Sequence, residues 1–118
     1  MAANSSLEST VILLTKEGMG NADAGLQKEL LQKYLRLLDK NDTLPGAICF
    51  MTEAVKLIAE GSEFLEILQL LESKGVHLII CQTCLNYYGL ADKVKVGIVG
   101  GMGDILAAQI KAAKVISL

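Results

Sequence analysis

Five short apolar runs, at residues 11–14, 47–51, 76–80, 94–99 and 115–117, alternate along the chain with stretches of helical periodicity. Strands separated by helix-length segments cannot pair as hairpins; they cross over, run parallel and leave their helices on the faces of the sheet. Runs such as Val11-Ile12-Leu13-Leu14 are continuously apolar rather than alternating, which suits strands covered on both sides. The expected fold class is therefore α/β, a three-layer α/β/α sandwich around a mostly parallel five-stranded sheet.

The connecting segments carry their own signals. After the first run, Gly18-Met19-Gly20-Asn21-Ala22-Asp23 reads as a turn in which Asn21 or Asp23 caps a helix, and Leu26, Leu30, Leu31, Tyr34, Leu35, Leu37 and Leu38 then recur at helical spacing. Pro45 and Gly46 break the chain before the second run. Residues 53–59 suggest a short helix ending near Gly61. Ser62 then caps a longer one that turns Phe64, Leu65, Leu68 and Leu71 inward and stops at Gly75. One helical turn at 85–88, closed by Gly89, and a last helix through Ile105, Leu106, Ile110 and Ala113 complete the alternation. With 118 residues, the chain is the size of a single domain. Residues 1–9 read as a polar extension and 10–118 as the domain.

A formal charge of -2, with no basic stripe interleaved with aromatics, argues against nucleic acid as a partner. The polar start lacks the basic and apolar regions of a secretory signal, and no segment is long enough to span a bilayer, so a cytoplasmic, membrane-free location is expected. Cysteines there are reduced unless they do redox or sulfur work.

Of the three, Cys49 sits within Ala47-Ile48-Cys49-Phe50 and reads as a small buried hydrophobe. Cys81-Gln82-Thr83-Cys84 is different, because it follows the end of a strand and opens a helical turn, a setting that favours the reactive thiolate. Cys-x-x-Cys spacing serves a nucleophile, disulfide exchange or half a zinc site equally well. The sole histidine, His77, lies roughly 13 Å from Cys81 along one strand at about 3.3 Å per residue, too far to activate it. Zinc would need further N/S ligands, which only Cys49 and His77 supply, so no metal and no cofactor are expected. Neither Gly-rich loop carries the spacing of a dinucleotide or phosphate loop.

In a parallel α/β sheet, ligands bind beyond the carboxyl ends of the strands. Segments 15–23, 51–54, 81–84 and 100–104 all meet that description, and they nominate Gly18, Asn21, Asp23, Thr52, Gly101 and Met102 as small-ligand contacts beside Cys81 and Cys84.

Cys81-Gln82-Thr83-Cys84-Leu85-Asn86-Tyr87-Tyr88-Gly89-Leu90, with Val55-Lys56-Leu57 and Gly61-Ser62-Glu63 upstream, resembles the DsrE-like domain of the YedF family, and the likeness runs from about Val11 to the end. That family is described as sulfurtransferase-like and linked to selenium metabolism. It usually has glycine where Gln82 stands, an Asn-Ser-Gly-like turn at Thr52-Glu53-Ala54 and asparagine at Gly101. Its members commonly carry a sulfur-carrier-like domain ahead of this one, so the resemblance implies an excised domain or a stand-alone relative.

Sulfur-relay subunits of the wider superfamily accept sulfur as a persulfide on a cysteine that Cys81 matches, with Gly89 following it. The resemblance thus implies Cys81 as sulfur-bearing nucleophile, Cys84 as resolving or assisting thiol, a sulfur donor or acceptor protein as partner, and a homo-oligomer, whether dimer, trimer or hexamer. No acid or base marks the chain as an enzyme. The competing expectations are a non-catalytic oligomeric module binding a small ligand, and a dithiol redox switch.

Overall fold

Strands β1 (Thr10–Leu14), β2 (Ala47–Phe50), β3 (His77–Cys81), β4 (Ile98–Gly100) and β5 (Lys114–Ser117) form one sheet in the order β4-β3-β2-β1-β5 in a computed structural model that describes residues 9–118. Every neighbouring pair is parallel. Between the strands lie α1 (Ala24–Lys40), a 3₁₀ segment (Thr52–Ile58), α2 (Leu65–Ser73), α3 (Gln82–Tyr87) and α4 (Met102–Lys111). The α/β sandwich expected from the alternation is the fold observed.

Right-handed crossovers explain the layers. The chain steps from β1 to β2, β3 and β4 in one direction, which places α1, the 3₁₀ segment, α2 and α3 on one face. The return from β4 to β5 runs the other way and places α4 on the opposite face. Strand register keeps side chains of one face together, so Ile12, Leu14, Ile48, Phe50, Leu78 and Ile80 all point toward the first layer. All six are essentially inaccessible. Leu31 and Leu35 of α1 and Ile67, Leu68 and Leu71 of α2 are likewise buried and close that core. Each such side chain contributes about 1.5–3 kcal/mol, so this face carries most of the stability.

The α4 face is covered less completely. Val11, Ala47, His77 and Ile79 line an open groove with Ala108, Lys111 and Ala112 of α4. At the two sheet edges Ile98 and Val115 remain 65% and 43% exposed. His77 lies exposed on this face.

Two boundaries differ from the sequence reading. Strand β4 begins at Ile98 rather than Val94. The Lys95 amide instead bonds the Ile58 carbonyl at 3.0 Å, Val94 makes an antiparallel bridge to Ala59, and Gly97 takes φ +87° with its amide on the Glu72 carboxylate at 3.0 Å. A run whose amides are engaged elsewhere cannot enter the ladder, however apolar it is. Residues 52–58 are 3₁₀ rather than α-helical. Of the polar extension, residues 1–8 lie outside the described residues; the carbonyl of Ser9 accepts the amides of Ala113 and Lys114, tying it to the start of β5. Among the described residues no helix is long and apolar enough to cross a membrane.

Candidate thiol site

Because all five strands point the same way, the loops after β1, β2, β3 and β4 leave from one edge of the sheet. At the middle of that edge Cys81 ends β3 and Cys84 lies in the first turn of α3, where Leu85 is buried and holds the turn against the body of the domain. The two sulfurs lie 3.1 Å apart, within S–H···S contact, and both cysteines are free thiols.

The loop after β2 closes over this pair. Thr52 has φ +51°, an unusual conformation for a β-branched residue. In it the Thr52 amide donates to Cys84 Sγ at 3.1 Å, while the hydroxyl reaches the carbonyls of Thr15 and Met51. One residue thus joins the ends of β1, β2 and β3 around a sulfur, and the strain it carries, of order 1–3 kcal/mol, sits at the place where it positions a reactive atom.

Accessibility separates the thiols. Cys81, which the resemblance implies as the sulfur-bearing nucleophile, is only 2% exposed, and Cys84 is the partly exposed one. Strand alternation puts Cys81 on one face with Cys49 and Ile79, paired in register with Gly100 of β4. Cys84 is not acidified as a helix start alone would suggest. Its thiol is pushed up, first by burial and then by the hydrogen bond with Cys81, against a lowering by the Thr52 amide, while the charge of Cys81 adds least. Cys49, wholly buried, is pushed up to about 11 by burial.

The other nominated residues divide. Thr52 belongs to the site. Gly101 and Met102 follow Gly100, the register partner of Cys81, and so flank the pair across the β3/β4 strands; Met102 is about half exposed. The Gly101 amide is taken by the Asp104 carboxylate at 2.9 Å. Gly18 is buried against Gln27 of α1, where a Cβ would stand 2.6 Å from that residue, so its role is packing. Asp23 occupies the N-cap position of α1 without a side-chain cap bond, and Asn21 is exposed beside it. The first loop meets the site through the Thr15 carbonyl, which accepts from the Thr52 hydroxyl.

Thr15 was not singled out from the sequence, since a lone strand-end threonine carries no signal by itself. The Lys56 ammonium is shared between Glu53 at 3.5 Å and Glu17 at 4.0 Å while lying 4.6 Å over the Tyr88 ring. That cluster fastens the 3₁₀ segment to α3 and leaves little net charge for the sulfurs. Among the described residues no group of three or more His, Cys, Asp or Glu side chains converges as a metal site.

Comparison with known proteins places this geometry. The profile of the DsrE/DsrF-like family matches residues 1–118. Among solved structures the chain is similar to the ychN protein from E. coli (18% identity, TM-score 0.66, covering 92% of this chain and 98% of that one). It is also similar to protein MTH1491 from Methanobacterium thermoautotrophicum (21%, 0.66, 92% and 97%) and to conserved protein BT1422 from Bacteroides thetaiotaomicron (21%, 0.64, 96% and 97%). These likenesses establish the fold. No curated protein matches the sequence.

Proposed function

The chain belongs to the DsrE/DsrF-like family, and from that premise we propose that it handles sulfur, or its heavier analogue selenium, on the Cys81/Cys84 pair. Family membership suggests a function of the sulfur-relay type. The observation that carries the finer reading is the pair itself: two free sulfurs 3.1 Å apart, one of them on a partly exposed cysteine and fixed by the Thr52 amide, at the strand-end edge where parallel sheets bind their ligands.

A relay protein needs a thiol that attacks a donor persulfide at its outer sulfur, a way to hold the product, and a surface on which donor and acceptor proteins dock. The thiol pair supplies the first two. A homo-oligomer is part of the same proposal. Met102, Leu106 and Ile110 recur along α4 on its exposed side, and Ile98 and Val115 are exposed at the edges of the thinly covered face. An apolar surface of this kind, poor in charge, has the character of an interface between copies of one chain.

The test is label transfer. With ³⁵S-cysteine and a cysteine desulfurase as donor, and with rapid alkylation to trap early time points, the protein is expected to acquire label that dithiothreitol removes, and the Cys81→Ser/Cys84→Ser double variant to acquire none. Equal labelling of the double variant would overturn the proposal. A dithiol switch remains the competing reading because the same proximity permits a disulfide; it predicts loss of two hydrogens under mild oxidation and no label from the donor.

A further inference from the structure

The two thiols are not equivalent, and their placement assigns an order of events. Resting on the sulfur-handling reading above, we infer that Cys84 takes sulfur from an external persulfide and that Cys81 then expels it as hydrosulfide, so that the pair reduces sulfane sulfur as well as carrying it.

Cys81 is 2% exposed and ends a strand, so a donor persulfide cannot reach it. Cys84 is the partly exposed cysteine of the pair. The Thr52 amide, 3.1 Å from Cys84 Sγ, holds that sulfur and stabilises charge on it. Cys81 Sγ touches Cys84 Sγ from the protein side, which leaves the solvent side of Cys84 for the incoming atom. With a sulfur bound to Cys84, Cys81 Sγ is already in contact with Cys84 Sγ, the atom it must attack to expel that sulfur.

In the first step the Cys84 thiolate attacks the outer sulfur of R–S–SH. An S–S bond forms to Cys84, the donor S–S bond breaks, and R–S⁻ leaves. In the second step the Cys81 thiolate attacks Cys84 Sγ, the Sγ–Sγ bond forms, and the bond to the outer sulfur breaks with its electron pair, releasing HS⁻. The sulfane sulfur is reduced by two electrons and the dithiol is oxidised to a disulfide. An external dithiol reductant of the thioredoxin class restores the pair by two exchanges. An acceptor thiolate that attacks the outer sulfur before Cys81 does takes the sulfur intact. The buried thiol thus sets how long a loaded sulfur survives without an acceptor.

The experiment mixes the full chain with glutathione persulfide and follows intact mass and released sulfide, with rapid alkylation and peptide mapping of the wild type to locate the sulfur. The wild type should release one sulfide per chain and end two hydrogens lighter. Cys81→Ala should keep one added sulfur on Cys84, release no sulfide, and give that sulfur up intact when a thiol acceptor is supplied. Cys84→Ser should take up sulfur slower by about tenfold or more, the usual gap between an open and an enclosed thiol. Undiminished loading of Cys84→Ser with sulfur mapped to Cys81, or sulfide release by Cys81→Ala at the wild-type rate, would overturn this order while leaving the sulfur-handling reading intact. Failure of the wild type to take up any sulfur would overturn both. Wild-type mapping needs no substitution, so a variant that misfolds does not remove the test.

Discussion

Thr52 concentrates much of the site's logic in one residue. Its left-handed backbone costs energy that its hydroxyl bond to Thr15 partly offsets, and the two terms can be separated by substitution. Thr52→Gly relieves the strain and loses the hydroxyl bond, so stability should change by less than about 1 kcal/mol. Thr52→Ala loses the bond and keeps the strain, and should cost about 1 kcal/mol more than Thr52→Gly in urea unfolding. Equal stabilities would show that the hydroxyl alone matters. Cys49 makes a second prediction, in pH. Unfolded, its thiol ionises near 9.0; folded, only at about 11. A pKa raised in the folded state adds stability that is complete below the unfolded value and lost as pH climbs to the folded one. The chain should therefore lose on the order of 2–3 kcal/mol between pH 9 and 11, and Cys49→Ala should flatten that slope.

At the level of elements, the region around β4 is where local sequence and observed structure part. Val94-Lys95-Val96-Gly97-Ile98-Val99 has the composition of a strand, but which of its amides reach the ladder is decided by Ile58 and Glu72, far away in sequence. Gly97→Ala tests this directly. The new Cβ would be strained by φ +87° and would stand 2.9 Å from Ile80 Cδ1 and 3.1 Å from the Leu78 carbonyl. A loss of about 2 kcal/mol or more is expected in thermal or urea unfolding, and a neutral result would contradict the packing described. The strongly periodic elements were legible because their signal is local: α1 from its leucines, and β1 to β3 from continuous apolar runs. The cysteine turn was legible for the same reason. What was not legible was accessibility. That Cys81 is enclosed and Cys84 partly exposed depends on how β3 packs between its neighbours in the sheet, and that Thr15 joins the site follows from a hydroxyl on another loop. Neither fact is carried by residues adjacent in sequence.

For the whole molecule, one sheet face is closed by α1, the 3₁₀ segment, α2 and α3 and the other by α4 alone, and the apolar side chains left exposed on that side form the surface proposed to join copies of the chain. Light scattering at micromolar concentration should give a multiple of the chain mass, and Leu106→Asp/Ile110→Asp should reduce it toward that of one chain. A monomeric wild type would contradict the proposed assembly. The same topology gathers the strand-end loops at a single edge, and the central claim is that the thiol pair at that edge reacts with sulfur. Its most direct measurement is the intact mass of the full wild-type chain at intervals after mixing with a cysteine desulfurase and cysteine. The predicted result is the transient gain of one sulfur atom, replaced by the loss of two hydrogens and mapped to the peptide bearing Cys81 and Cys84. An unchanged mass under conditions in which the desulfurase itself carries persulfide would contradict it.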